Sequence, residues 1–132
     1  MENVRIILCI DDDEDDLEML HHAFLQLAPH YSIITAKSGE SGIAILQNLA
    51  SENRLPSLIV LDINMPRMDG RETFMNIRAQ ETFKEIPIVI FSTSSSLMDK
   101  NFFYKMNVSY FVKPVDLDQF KQVVHQLLKH CR

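Results

Sequence analysis

The residues best suited to chemistry in this sequence are acidic, and they stand directly after apolar runs. Six consecutive acidic residues, 11 to 16, follow RIILCI, and Asp62 ends the run SLIVLD. Two unit charges about 4 Å apart repel by about 4 kcal/mol at an effective dielectric constant near 20. Carboxylates sharing one pocket therefore need protonation, a basic side chain or a hard cation. An all-oxygen ligand set with room for water favours Mg²⁺ over zinc.

Two further apolar runs end in groups that can contact a phosphoryl group. IPIVIF is followed by the hydroxyls of Ser92, Thr93 and Ser94, and VSYFV is followed by Lys113. A lysine, a small hydroxyl and a metal-binding acid cluster can together neutralise phosphoryl oxygens while a carboxylate acts as nucleophile. Asp62 is the predicted nucleophile because it stands alone on its strand.

Each of these residues also has a plainer interpretation when it is taken alone. A short acidic run is common at a helix N-terminus, where the helix dipole favours negative charge. Lys113 alone is typical of a solvated loop, and Ser92 alone of a strand-end hydroxyl bonded to local backbone. The functional hypothesis depends on all four strand ends meeting in one place.

The elements that must position these residues alternate regularly along the chain. Short, nearly continuous apolar runs at 5–10, 31–36, 57–62, 86–91 and 108–112 predict strands buried on both faces of a parallel sheet. Between them, apolar residues recur at helical spacings of three and four. The predicted stripes are Leu17, Leu20, Phe24 and Leu27; Gly42, Ile45, Leu46 and Leu49; Phe74 and Ile77; Phe102, Phe103 and Met106; and Leu117, Phe120, Val124, Leu127 and Leu128.

This βα alternation predicts an α/β fold, a flavodoxin-like (βα)5 three-layer sandwich with parallel strand order 2-1-3-4-5. In that order strands one and three are neighbours at the switch point, so their terminal acids converge there. Residues 1–132 are expected to form a single domain with a core of about 4–130 and no output domain. Asp116 is the predicted N-cap of the last helix.

Composition narrows the function classes. The 132 residues carry a net charge of -5, which argues against a nucleic-acid surface, and no apolar stretch approaches the length that spans a bilayer. Cys9 falls in a strand and Cys131 at the C-terminal end, a placement that favours two free thiols over a disulfide. We expect a cytoplasmic protein, with no membrane or nucleic-acid partner.

Taken together, the motifs resemble the receiver domain of two-component response regulators. The resemblance covers roughly residues 4–130 and rests on CIDDDEDD, VLDINMPRMDG, IVIFSTS and YFVKPVD, in that order. DINMPRMDG is the most specific stretch. The stand-alone type of response regulator fits a chain of this length.

The resemblance implies a role for each matching residue. Asp62 would be the phosphoacceptor, and Asp11 and Asp12 would hold Mg²⁺ together with Asp62 and the backbone carbonyl of Asn64. Ser92 would be the switch hydroxyl and Lys113 the phosphoryl contact. Tyr110 would be the aromatic switch residue on strand five. Asn107 stands where the family often has a helix-ending glycine, and it tolerates the left-handed conformation needed there.

The implied function is a phosphorylation-activated signalling switch rather than an enzyme with an external substrate. A sensor histidine kinase or a phosphotransfer protein would donate the phosphoryl group. The surface of the fourth helix, fifth strand and fifth helix would then change its preference for a downstream protein, or the group would be relayed onward. The same surface would allow a monomer or a weak homodimer.

Two alternatives from other classes remain open on the sequence. A Mg²⁺-dependent phosphatase of the haloacid-dehalogenase type also uses a strand-end aspartate and a lysine, but its motif normally has a second aspartate where this chain has Asn64. A phosphorylation-independent interaction module would keep the fold. Such modules commonly lose acid-pocket or lysine positions, all of which are present in this chain.

Overall fold

The computed structural model describes residues 4–132, and the first three residues of the expected domain lie outside the described range. The chain alternates five strands with five helices, and a short 3-10 turn, Glu81–Phe83, precedes the fourth strand. The strands are β1 (Arg5–Ile10), β2 (Tyr31–Ala36), β3 (Leu58–Leu61), β4 (Ile88–Ser92) and β5 (Ser109–Val112). The helices are α1 (Glu14–Leu27), α2 (Gly39–Ser51), α3 (Gly70–Arg78), α4 (Leu97–Lys105) and α5 (Leu117–Leu128).

The five strands form one parallel sheet in the order β2-β1-β3-β4-β5, which confirms the predicted fold. The order places β1 beside β3, with Ile10 paired to Leu61 at their carboxyl ends. The residues after these two strands therefore emerge side by side at the switch point of the sheet.

The sheet is buried on both faces because its central strands are apolar at successive positions. Ile7 and Cys9 pack on the side of α1 and α5, whereas Leu8 and Ile10 pack on the side of α2, α3 and α4. This alternation follows from the two-residue period of a strand. The continuous apolar runs thus hold two separate helix layers against a rigid sheet.

Short polar side chains begin all five helices. Asp13, Ser38, Asp69, Ser96 and Asp116 each stand at an N-cap and accept a hydrogen bond from a backbone N–H of the following turn. The predicted cap at Asp116 is confirmed. Because the first N–H groups of a helix have no partner within it, these caps fix where each helix starts.

Some boundaries differ from the sequence prediction. β3 ends at Leu61, one residue before Asp62, and β4 runs from Ile88 to Ser92 because it begins only after Pro87, which lacks an N–H. Three residues of the predicted helical stripes are exposed: Leu27, the last residue of α1, Leu117, the first residue of α5, and Met106, which directly follows α4.

The end of α4 agrees with the sequence prediction. Asn107 adopts a φ of 59°, and the next residue, Val108, donates its N–H to the carbonyl of Phe103. A left-handed residue after a helix lets such a bond close the last turn. Both Cys9 and Cys131 are free thiols. Among the described residues, no helix combines the length and apolar character needed to cross a bilayer.

Candidate functional site

The candidate site lies at the carboxyl edge of the sheet, where the backbone fixes its residues. The N–H of Asp62 donates to the carbonyl of Ile10 at 3.0 Å, and the N–H of Lys113 donates to that of Ser92 at 2.8 Å. These bonds continue the pairing of β1 with β3 and of β4 with β5 past the strand ends. The backbone of Asp62 and of Lys113 is therefore held in place by hydrogen bonds to neighbouring strands of the sheet.

Three carboxylates converge at this edge. Asp11, Asp12 and Asp62 each offer an oxygen, and these oxygens all lie within 4.8 Å of one another. Asp11 and Asp62 are buried, with exposed fractions of 2% and 5%, whereas Asp12 is exposed. The cluster is thus closed by the sheet on one side and open to solvent at Asp12. Its oxygen-only chemistry suits Mg²⁺ or Mn²⁺.

Lys113 reaches into the same cluster from the end of β5. Its Nζ lies 2.6 Å from a carboxylate oxygen of Asp11, 2.7 Å from one of Asp16 and 3.8 Å from one of Asp62. The lysine side chain is only 5% exposed. Burial works against its charge, but the hydrogen bonds that Lys113 donates to Asp11 and Asp16 outweigh burial and raise the pKa of Lys113.

The single positive charge of Lys113 does not offset the burial of the Asp11 and Asp62 carboxylates. Burial, and next the charge of Asp62, raise the pKa of Asp11 to about 7, although the hydrogen bonds from Lys113 and from the Asp13 N–H oppose the rise. Burial also raises the pKa of Asp62, against the charge of Lys113 and the hydroxyl of Ser92. A divalent cation would supply the missing charge, so the residues present fit a metal-binding role.

The hydroxyl and aromatic residues predicted for the site lie on the β4–α4 side of the carboxylates. Ser92 is fully buried, and its Oγ accepts the N–H of Ser94 at 3.2 Å. Tyr110 donates its hydroxyl to the backbone carbonyl of Ser94 at 2.7 Å, while the Ser94 hydroxyl donates to Asp99 at 2.8 Å. The segment after β4 is thereby bonded to both β5 and α4.

Two residues that the sequence analysis named near the site are exposed rather than buried. Asn64 is exposed in the loop after β3, and its proposed backbone ligand role stays a prediction. Thr93, the middle of the three hydroxyl residues after β4, is also exposed. The structure therefore brings together Asp11, Asp12, Asp62, Ser92 and Lys113, with Tyr110 one residue contact away through Ser94.

Gly70 fixes the backbone next to Asp62. It was part of the DINMPRMDG motif in the sequence analysis, but no role was predicted for it. Its N–H donates to the carbonyl of Ile63 at 2.7 Å, which closes the loop between β3 and α3. A Cβ on Gly70 would come within 2.3 Å of the Asp62 carbonyl oxygen. Only a residue without a side chain allows this approach, so Gly70 helps to fix the backbone that carries Asp62.

Asp16 was also missed. It belongs to the first turn of α1 and bonds to Lys113, yet the sequence gives no signal that separates it from the neighbouring Asp15. The difference arises only when α1 is set against the end of β5.

Comparison with known proteins identifies the class. Residues 7–125 match the model of the response regulator receiver domain, and the chain belongs to this family. Response regulator Rcp1 of Synechocystis sp. strain PCC 6803 is 32% identical over 123 residues, covering 90% of this chain and 84% of that protein. The probable methanogenesis regulatory protein FilR2 of Methanothrix harundinacea is 28% identical, over 98% of this chain and 84% of the relative.

Solved structures give the same result. The phosphorylated cyanobacterial phytochrome response regulator RcpA matches with a TM-score of 0.86 and 29% identity, over 95% of this chain and 91% of RcpA. The Mn²⁺-bound form of Rcp1 matches with a TM-score of 0.82 and 29% identity, over 92% and 90% of the two chains. The fold and the sequence therefore define a receiver domain of a two-component system.

Proposed function

We propose that this receiver domain accepts a phosphoryl group on Asp62 and so acts as a two-component signalling switch. The observation that carries the proposal is the position of Asp62, a buried carboxylate grouped with Asp11 and Asp12 and 3.8 Å from the ammonium of Lys113. An aspartate with no role in phosphoryl transfer would have no need to lie among other carboxylates and a buried lysine. The phosphorylated state named for RcpA and the Mn²⁺ named for Rcp1 support the same chemistry here.

The proposed reaction is a phosphoryl transfer from a phosphohistidine. A carboxylate oxygen of Asp62 attacks phosphorus, the new P–O bond gives an aspartyl phosphate, and the P–N bond to the donor imidazole breaks. The electron pair of that bond stays on the imidazole nitrogen. Lys113 neutralises part of the charge on the phosphoryl oxygens, and the Ser92 hydroxyl donates a hydrogen bond to one of them.

The acidic cluster is the proposed metal site. Asp11, Asp12, Asp62 and the backbone carbonyl of Asn64 would hold Mg²⁺, which supplies positive charge beside the transferring group. Asp12 is exposed, so this proposed site would be open to solvent on the side of Asp12. The raised pKa values of Asp11 and Asp62 show how strongly the pocket favours added positive charge.

The conformational response is proposed to start at Ser92. A phosphoryl group adds acceptor oxygens and up to about two negative charges, which draw the Ser92 hydroxyl toward it. The Ser92 oxygen now accepts the N–H of Ser94, and Ser94 in turn contacts Tyr110 and Asp99. A shift at Ser92 is therefore passed to β5 and α4, and the α4-β5-α5 surface changes its partner preference.

The proposed role is that of a cytoplasmic phosphoacceptor, not an enzyme acting on an external substrate. Its partners would be a sensor histidine kinase or phosphotransfer protein and a downstream protein that reads the α4-β5-α5 surface. We expect residues 1–132 to work as one receiver domain, as a monomer or a weak homodimer through that surface. Sedimentation with and without beryllium fluoride tests the oligomeric state.

The direct test is intact-mass analysis after incubation with Mg²⁺ and acetyl phosphate. Wild type should gain the mass of one phosphoryl group. Borohydride reduction should convert the phosphorylated aspartate to homoserine, and peptide mapping should locate the homoserine at position 62. Asp62→Asn should gain no phosphoryl mass, whereas Asp118→Asn, an exposed acid on α5, should behave as wild type. Equal labelling of Asp62→Asn would exclude Asp62 as the acceptor.

A separate incubation with Mg²⁺ and a generic phosphate ester tests the phosphatase alternative. Sustained release of phosphate from a generic phosphate ester, at many turnovers per protein, would favour a phosphatase. A chain that binds neither Mg²⁺ at millimolar concentration nor the phosphoryl group would instead be a phosphorylation-independent interaction module.

A further inference from the structure

The ammonium of Lys113 is held away from the proposed acceptor by a second acid. Its hydrogen-bonding contacts are to Asp11 at 2.6 Å and Asp16 at 2.7 Å, whereas the nearest oxygen of Asp62 is at 3.8 Å, beyond hydrogen-bond distance. An ammonium has three donors, and two of them are already used. One donor is left for a group on Asp62, while the bonds to Asp11 and Asp16 set the position of the ammonium.

The local structure of α1 explains why Asp16 is available. Asp16 is the third residue of the helix, and an acid there often bonds back to the N–H of the N-cap residue. In this chain the N-cap is Asp13, and its N–H donates to Asp11 at 2.9 Å instead. The Asp16 carboxylate is thus free to accept from Lys113.

The contact is also selective within the acidic run. Asp16 is partly buried, with 23% of its side chain exposed, and it meets a lysine side chain that is 5% exposed. Asp15, one residue earlier on the same helix turn, is exposed and makes no ion pair within the described part of the chain. The position on the helix, rather than the charge of the run, selects Asp16.

We infer that Asp16 is a positioning residue that tethers Lys113 in the unphosphorylated state and competes with a phosphoryl group on Asp62 for the same ammonium. This inference rests on the proposed function of Asp62. The tether biases the switch toward its resting state, because any movement of the ammonium from Asp16 toward a phosphoryl group on Asp62 weakens the Asp16 contact. Its loss should favour the phosphorylated form.

The test measures the affinity for beryllium fluoride in saturating Mg²⁺, with ¹H–¹⁵N NMR titration of the full chain. Beryllium coordinates the Asp62 carboxylate, and its fluorines occupy the positions of phosphoryl oxygens. Asp16→Asn should bind the probe about fivefold more tightly than Asp15→Asn, the matched variant that removes one charge from the same helix turn. Asp16→Glu should return the affinity toward wild type.

A second readout separates positioning from a general effect on the fold. The ¹⁵Nζ signal of Lys113, recorded without beryllium fluoride, should move in Asp16→Asn and stay in place in Asp15→Asn, while both variants keep similar unfolding midpoints in urea. Equal or weaker probe binding by Asp16→Asn, or an unmoved Nζ signal, would overturn the tether. If wild type itself binds no beryllium fluoride, the proposed function fails first and the tether fails with it.

Discussion

At the scale of single residues, the pocket is a problem of charge balance. Asp11 and Asp62 are buried, Asp12 is beside them, and Lys113 brings one positive charge that it also shares with Asp16. The raised pKa values of Asp11 and Asp62 show that one lysine does not compensate for the burial of both. A proton or a cation completes the balance, and the two compete for the same oxygens.

Mg²⁺ should therefore bind and stabilise the protein more strongly as the pH rises. The pKa of Asp11 is raised from 3.8 to about 7 in the folded chain, so between these values the folded state keeps a proton that the unfolded chain has lost. Without metal, the Asp11 contribution to the free energy of unfolding consequently falls as the pH increases through this window. Thermal unfolding with and without Mg²⁺ at pH 5.5 and pH 8 should show the larger metal effect at about pH 8.

Asp11→Asn is the matched control for this titration. It should flatten the decrease in stability of the metal-free protein between about pH 4 and pH 7. A Mg²⁺ effect that is equal at the two pH values in wild type would contradict the assignment of the metal to these carboxylates.

Removal of the Lys113 ammonium should destabilise the protein, because the nearby carboxylates would lose the positive charge that partly balances them. Lys113→Met leaves Asp11, Asp16 and Asp62 without their ammonium, and we expect a loss of about 2–4 kcal/mol in the free energy of unfolding at pH 8. The loss should be smaller at pH 5.5, where the acids can take up protons, and Mg²⁺ should restore part of it. Urea denaturation measures each value.

Lys37 provides the comparison, because it forms an exposed ion pair with Glu14. Lys37→Met should change the free energy of unfolding by less than about 0.5 kcal/mol. If the two methionine variants lose similar stability, the ammonium of Lys113 is not compensating buried charge.

At the scale of elements, the loop between β3 and α3 decides where Asp62 stands. Asp62 follows the last residue of β3, and its backbone is bonded to β1 on one side and crowded by Gly70 on the other. The N-cap at Asp69 starts α3 at Gly70. The loop therefore returns over the end of its own strand, and this return needs a glycine.

Gly70→Ala should destabilise the protein by about 2–3 kcal/mol, because the new Cβ meets backbone atoms that cannot move independently of the sheet. The closest is the Asp62 carbonyl oxygen at 2.3 Å. Urea denaturation gives the loss, and the same variant should take up the phosphoryl group from acetyl phosphate more slowly. Unchanged stability and unchanged phosphorylation would show that the loop is more adaptable than this contact implies.

Gly42→Ala is a matched control within a helix. Its Cβ would meet the end of the Ile10 side chain, with the nearest contact to Cδ1 at 2.5 Å. Ile10 is buried and its Cγ1 would also lie 2.9 Å away, but side-chain atoms can shift further than backbone and alanine has the better helix propensity, so we expect a smaller loss of about 1 kcal/mol.

At the scale of the whole molecule, side-chain contacts connect the site to the edge of the sheet formed by β5. Ser92 ends β4, Ser94 contacts Tyr110 of β5, and the same serine contacts Asp99 of α4. Exposed apolar side chains lie on α4, β5 and the start of α5, including Leu97, Met98, Tyr104, Val112 and Leu117. The site is thus linked by direct contacts to one side of the protein.

Beryllium fluoride with Mg²⁺ should therefore change backbone amide signals unevenly. We expect large ¹H–¹⁵N shifts from Ser92 to Lys113 and in the first turn of α5, and little change along α2. Tyr110→Phe, which loses the hydroxyl bonded to the Ser94 carbonyl, should bind the probe but show smaller shifts along α4. Shifts of equal size along α2 and α4 would argue against a response directed to this face.

The order of strands and helices along the chain could be read from the amino-acid sequence, because continuous apolar runs alternate with helical stripes, and Asp116 marked the start of the last helix. The sequence also identified Asp11, Asp12, Asp62, Ser92 and Lys113 as strand-end groups, and the parallel order then required them to meet. Leu27, Met106 and Leu117 belong to the predicted stripes but are exposed, since periodicity does not reveal where the sheet stops covering a helix.

Only the tertiary structure decided which acid shares the lysine and which glycine approaches the acceptor backbone. Asp15 and Asp16 are identical in type and adjacent in sequence, yet only Asp16 lies within hydrogen-bond distance of Lys113. That distance joins residues 97 positions apart. It depends on how the first turn of α1, which follows β1, lies relative to the residue that follows β5, and no local pattern in the sequence encodes that arrangement.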